Sequence, residues 1–173
     1  MEKIKKYFKE FVVLLIGFIF ASALIGYIRS ANIKEKQLGA LNSLYTIKNN
    51  SVKELLQQKK PLVFVFWGSW CPVCKQELQT LHTLAKKDNL LLLTIAVESG
   101  TDSDIKSFLQ KHQVDFPVIN DKDGTISKLF NIKIYPSVIY YSQDRKKTLK
   151  DSGYTTYLGF LARIKIMEKK NAK

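Results

Sequence analysis

Hydrophobic positions divide the chain into one unbroken apolar run near the N-terminus and a later series of short apolar segments with changing period. From Phe11 to Ile28 the sequence FVVLLIGFIFASALIGYI carries no charge over eighteen residues. As a helix it would extend about 27 Å, enough to cross a bilayer core. So uniform a run has no polar face to offer water, which disfavours an amphipathic surface helix. Lys3, Lys5, Lys6 and Lys9 precede it, and Ala21-Ser22-Ala23 resembles a small-residue cleavage site. Apolarity resumes at Leu24, Ile25, Tyr27 and Ile28, which favours a retained anchor over a cleaved signal. Residues 1–10 are then expected in the cytoplasm and 11–28 in the membrane. Arg29, Lys34 and Lys36 narrow the charge asymmetry, but long domains translocate largely regardless of charge, so the C-terminal part is expected on the far side.

Residues 29–43 are polar without a clear period and read as a tether, leaving 44–173 as the folded domain. A short strand is predicted around Leu44 to Ile47. Ser51 can cap a helix carrying Val52, Leu55 and Leu56 on one face. Leu62 to Trp67, LVFVFW, is continuous enough for a central strand buried on both faces. Gly68-Ser69-Trp70 turns the chain, and a helix can run from Cys71 to Lys87 with Cys74, Leu78, Leu81 and Ala85 along one stripe. A second buried strand follows at Leu90 to Val97. Strand, helix and strand at this spacing form a crossover unit with parallel strands. Next come a helix at Asp102 to Lys111, a strand at Phe116 to Ile119, a turn at Asp121 to Gly124 and a brief helix at Thr125 to Phe130. Ser137 to Tyr141 and Thr148 to Tyr154 read as a hairpin. A closing helix, Tyr157 to Lys169, directs Phe160, Leu161, Ile164 and Met167 inward. The fold class is α/β, with helices flanking a mixed sheet.

Composition supports this division. The 173 residues suffice for one domain and an appendage, and 46% hydrophobic residues with 12% aromatics can fill a core. The net charge of +13 would suit nucleic acid, an anionic surface or acidic partners. Its tight runs are confined to Lys3 to Lys9, Arg145 to Lys147 and Lys165 to Lys170, with no recognition motif beside them. The charge therefore reads as solvated surface, and no nucleic-acid partner is expected.

The two cysteines stand three positions apart, in Cys71-Pro72-Val73-Cys74, at a strand-to-helix junction. There Cys71 falls at the N-cap, where unpaired N–H groups and the positive end of the helix dipole favour a thiolate. Pro72 takes the first helical position, where its missing N–H costs nothing. Cys74 lies one turn on, within reach. The pattern predicts an exposed nucleophile with a second thiol beside it, in a loop tight enough for a readily reduced disulfide. A static disulfide would close a tiny loop and gain little entropy. A metal site would need further ligands, which His82 and His112 do not offer at zinc spacing. His82 itself reads as a surface or half-buried histidine on the helix. A Cu(I) carrier using the two thiolates remains an alternative, although Ser69 stands where a Met-x-Cys-x-x-Cys carrier has methionine.

Phe66-Trp67-Gly68-Ser69-Trp70-Cys71-Pro72-Val73-Cys74 resembles the active-site segment of the thioredoxin superfamily. Phe116 to Ser137, FPVINDKDGTISKLFNIKIYPS, is similar to the membrane-anchored TlpA, ResA and DsbE branch, and Glu77 fits the Cys-x-x-Cys-x-x-Glu often found there. The anchor and the Pro-Val dipeptide together resemble the suppressor-of-copper-sensitivity D type of protein disulfide oxidoreductase.

The resemblance implies a thioredoxin-like fold and a thiol:disulfide oxidoreductase without a cofactor beyond the Cys71–Cys74 disulfide. Cys71 would attack and Cys74 would resolve. Pro136 would be the cis-proline whose loop faces the disulfide and pairs with a substrate strand, although the sequence itself shows only an X-Pro bond, ordinarily trans. Trp70 would shield the site, and Glu77 would tune the cysteine pKa values unless it is an ordinary exposed helix glutamate. Three positions depart from the family pattern. Val65 stands where thioredoxin has a buried aspartate, Leu78 replaces a common proline, and Tyr135 precedes Pro136 where Thr, Val or Ile is usual. The resemblance further implies a single-pass protein of the bacterial inner membrane with its domain in the periplasm. It would act as a reductant of protein disulfides, recharged by a DsbD-like transmembrane electron donor.

Overall fold

The computed structural model describes residues 14–17 and 35–169. The chain divides into two units, residues 1–33 and 34–173. Of the first, residues 14–17 are helical, with Leu14, Leu15 and Ile16 exposed. The rest of the expected anchor, 11–28, lies outside the described residues. Among the described residues no helix is long and apolar enough to cross a membrane.

The second unit is built on a five-stranded sheet of order β3-β2-β1-β4-β5. The strands are β1 (Leu62–Trp67), β2 (Leu91–Val97), β3 (Val118–Asp121), β4 (Ser137–Tyr141) and β5 (Thr148–Ser152). The helices are α1 (Glu35–Gly39), α2 (Val52–Gln57), α3 (Pro72–Ala85), α4 (Asp102–Lys111), α5 (Thr125–Leu129) and α6 (Tyr157–Lys169). Strand β1 pairs parallel with β2, Val65 opposite Thr94, and antiparallel with β4, Val65 opposite Val138. Strand β3 continues the parallel side and β5 the antiparallel side, so the sheet is mixed.

Every residue of β1 and β2 is buried, as expected of strands covered on both faces. Because side chains alternate along a strand, Val63, Val65 and Trp67 join a core that includes Leu78, Leu81 and Leu84 of α3 and Phe160 and Ile164 of α6. Phe64 and Phe66 turn the other way and pack against Phe130, with ring centroids 5.2 and 5.5 Å apart. The flanking layers thus fix the C-terminal end of β1, from which the Cys-x-x-Cys segment springs.

Several expected elements take a different form. The polar stretch read as a tether contains α1, with Leu38 and Leu41 buried. Two leucines three residues apart are too short a stripe to register as periodicity, yet they suffice to seat one helical turn. No strand forms at 44–47. Asn49, at φ 64°, reverses the chain, leaving a single bridge between Tyr45 and Ser51 while the Ile47 N–H donates to Val118 O at 2.8 Å. The strand expected at 116–119 lies at 118–121, because Pro117 has no N–H for a ladder and accepts through its carbonyl from Thr94. Asp121 closes this strand and also opens the expected turn, its carbonyl accepting from the Gly124 N–H at 3.2 Å. Its carboxylate accepts from the N–H groups of Ile126 and Ser127, each at 2.8 Å, capping α5. The remaining boundaries shift by one or two residues, with α3 ending at Ala85 and α5 at Leu129.

Candidate active site at the end of the central strand

Strand β1 ends at Trp67 and α3 begins at Pro72, with Cys71 as its N-cap. The Cys71 N–H donates to Gly68 O at 3.1 Å, closing the turn. Cys71 Sγ accepts from the Cys74 N–H at 3.2 Å, taking one of the amide protons that a helix start leaves unpaired. Cys71 and Cys74 are joined as a disulfide, their Cα atoms 5.3 Å apart. A negative charge developing on Cys71 would face this amide and the helix dipole, the arrangement that lowers a thiol's pKa.

The expected exposure of Cys71 is corrected by the structure: it is 5% exposed and Cys74 1%. Cys71 Sγ lies 3.8 Å from the Tyr135 carbonyl, so the 135–136 loop faces the sulfur. The Tyr135–Pro136 peptide is cis, as the resemblance implies. Pro72 and Val73 remain exposed on the helix start. Trp70 is half exposed beside them, its indole N–H donating to Val97 O at 3.0 Å and its ring meeting Tyr135 edge to face at 5.4 Å. Glycine is required beneath it, because a β-carbon on Gly68 would come within 2.5 Å of the indole. Ser99 completes the turn, accepting from the Ser69 N–H at 3.0 Å and donating to Val97 O at 2.9 Å.

Glu77 is not the exposed helix glutamate of the alternative reading. It lies one turn beyond Cys74 on the buried side of α3 and is 1% exposed. Its Oε1 accepts a short hydrogen bond from the Thr155 N–H, while Oε2 is buried without a partner among the described residues. Burial raises its pKa from the ordinary carboxylate value to about 7, the Thr155 hydrogen bond working against the rise and the charge of Asp151 adding to it. Val65 is fully buried, so no carboxylate rises from β1 beneath the cysteines.

Both histidines have structural surroundings. His82 Nδ1 accepts from the Asp115 N–H at 2.9 Å, and His112 packs against Phe108 with centroids 4.5 Å apart. Among the described residues no group of three or more His, Cys, Asp or Glu side chains is placed to hold a metal ion. Trp70, Cys71, Pro72, Cys74, Tyr135 and Pro136 come together around the disulfide, with Glu77 behind it. Sequence reasoning missed Thr155 and its neighbours Asp151, Tyr140 and Arg163. Thr155 reaches Glu77 from the far end of the chain, the others gather around Thr155 and Asp151, and no local motif marks them.

Comparison with known proteins gives consistent matches. The AhpC/TSA family profile matches residues 36–150. A thioredoxin-like protein of Haemophilus influenzae is 28% identical over 163 residues, which cover 94% of this chain and 95% of the relative. Thiol-disulfide oxidoreductase ResA of Bacillus thuringiensis subsp. konkukian is 26% identical over 161 residues, covering 90% and 92%. The crystal structure of a secreted Mycobacterium tuberculosis disulfide oxidoreductase, homologous to E. coli DsbE, superposes with a TM-score of 0.64 at 23% identity. It covers 77% of this chain and 99% of that one. The reduced N-terminal domain of PilB from N. meningitidis superposes with a TM-score of 0.61 at 27% identity, covering 79% and 98%. The fold is thioredoxin-like.

Proposed function

The chain belongs to the AhpC/TSA family, and from that premise we propose that it is a thiol-disulfide oxidoreductase of the DsbE/ResA type, exchanging disulfides with partner proteins through Cys71 and Cys74. The observation that carries the reading is the placement of Cys71. It caps α3, its sulfur accepts the Cys74 amide, and the same sulfur faces the Tyr135 carbonyl beside Pro136.

In the reduced protein the Cys71 thiolate attacks a partner disulfide. A Cys71–partner bond forms, the partner's S–S bond breaks, and one partner sulfur leaves as a thiolate. Cys74 then loses its proton and attacks Cys71 Sγ. The internal disulfide forms, the mixed disulfide breaks, and the second partner sulfur is released. Two electrons pass from the Cys71–Cys74 pair to the partner. Glu77, one turn from Cys74 and with a pKa of about 7, accepts the Cys74 proton, the task for which Val65 has no group. The backbone beside Pro136 pairs with the incoming segment, Trp70 shields the sulfur, and Tyr135 shapes the approach.

The eighteen uncharged residues at 11–28, preceded by four lysines, support a single-pass anchor in the bacterial inner membrane with the domain in the periplasm. In that compartment the protein works as a reductant, and a DsbD-like transmembrane carrier returns its electrons. The Pro-Val dipeptide and anchor support the suppressor-of-copper-sensitivity D type. An insulin-reduction assay tests the activity: the wild-type protein accelerates reduction by dithiothreitol and Cys71→Ser does not. Equal rates for the two proteins would refute the proposal.

A further inference from the structure

Gly159 occupies the first turn of α6, where a β-carbon would meet Arg163 Nη1 at 3.0 Å and Thr155 Cγ2 at 3.1 Å. Glycine is a poor helix former, so its presence there is explained by the space it leaves. Into that space the Arg163 side chain lies back along the helix. Its Nη1 donates to Gly159 O at 3.0 Å, and its Nη2 sits 2.6 Å from Asp151 Oδ2. The same Oδ2 is 3.5 Å from the Thr155 hydroxyl, and the Thr155 N–H donates to Glu77 Oε1. A continuous set of polar contacts thus joins a partly exposed ion pair to the carboxylate beside Cys74.

The Thr155 N–H and the charge of Asp151 in β5 act on Glu77, and Arg163 of α6 pairs with Asp151. Tyr140 is buried with its hydroxyl unpartnered among the described residues, and it feels Arg163, Asp151 and Glu77 together, which places all four in one electrostatic environment. Lys150, beside Asp151 in β5, is directed elsewhere, its Nζ donating to Asn131 O at 2.9 Å.

We propose that the Asp151–Arg163 pair, seated by Gly159, adjusts the protonation of Glu77, making Asp151 and Arg163 positioning residues for the redox site. The Asp151 charge adds to burial in holding the proton on Glu77. Arg163 limits that effect by neutralising Asp151. The inference rests on Glu77 being the proton acceptor only for its consequence in exchange; the electrostatic link stands apart from that role.

The test is an infrared titration of the Glu77 carboxyl band in the oxidised full-length protein, the band being assigned by its loss in Glu77→Gln. Asp151→Asn should lower the midpoint by roughly half to one pH unit, and Arg163→Gln should raise it by a similar amount. Arg163→Lys should restore most of the wild-type value, and Gly159→Ala, which changes no charge, should also displace it. A midpoint unmoved in both Asp151→Asn and Arg163→Gln overturns the proposal. The pH profile for reduction of a small aromatic disulfide by the reduced protein is measured on the same variants. If the band moves and this profile does not, the link is upheld and the acceptor role of Glu77 falls.

Discussion

Glu77 combines near-complete burial with an ionisable group, and its energetics follow from that conflict. Its folded-state pKa of about 7 stands above the ordinary 4.5, so between these values the folded protein keeps a proton that the unfolded chain has lost. The folded state is therefore favoured least at high pH: stability falls as pH rises from about 4.5 through 7, by about 3 kcal/mol in all. Glu77→Gln should abolish this slope. By urea unfolding the variant should be about 2–3 kcal/mol more stable than wild type at pH 8 and nearly equal to it at pH 4. Parallel pH profiles would count against the buried-carboxylate account. A second residue-scale prediction concerns Gly68, whose replacement by alanine would drive a β-carbon into the indole. In Gly68→Ala the Trp70 indole N–H resonance should move to its solvent-exposed position as the bond to Val97 O is lost; an unchanged resonance would show that the seat tolerates a methyl. The cysteine pair is legible in the sequence because three consecutive peptide units bring its members together. The burial of Glu77 is not, because the backbone that meets its carboxylate, at Thr155, lies seventy-eight positions away.

Elements with strong internal patterns were readable, and those dependent on distant partners were not. The run Leu62 to Trp67 marks the central strand because both its faces are apolar, and the Pro72 that follows Cys71 marks the start of α3. The strand lies two residues beyond the apolar run 116–119 because Pro117 cannot enter the ladder, which begins at Val118 and runs on through the polar Asn120 and Asp121. Helix α1 went unread because its burial rests on only Leu38 and Leu41. Asp121 shows what such patterns omit: 2% exposed, it binds two backbone amides of α5 and fixes that helix against the end of β3. Charge-assisted hydrogen bonds of this kind are each worth about 1.5–3 kcal/mol. Asp121→Ala should accordingly lower the urea midpoint by an amount corresponding to about 2–4 kcal/mol. A shift below about 0.5 kcal/mol, the level of an ordinary surface substitution, would exclude a capping role.

Across the molecule, the +13 charge first suggests polyanion binding, but one of its tight runs has another use. Arg145, in left-handed backbone at φ 58°, donates to the carbonyls of Lys60 and Ser142 at 2.5 and 3.2 Å and to Gln58 O at 3.2 Å. It ties the β4–β5 turn to the segment leading into β1, so the run 145–147 is in part a clasp rather than a ligand surface. The sheet in turn carries the disulfide at the end of β1, with the 135–136 loop facing Cys71 and the β5–α6 connection meeting Glu77 behind it. In the proposed exchange Cys71 attacks and Cys74 resolves. Expressing Cys74→Ser and Cys71→Ser full-length proteins, quenching with acid and separating mixed disulfides on non-reducing gels distinguishes the two roles. Cys74→Ser should accumulate partner adducts that dithiothreitol releases, and Cys71→Ser should show none. Adducts on Cys71→Ser alone, or on neither variant, would contradict this assignment of roles.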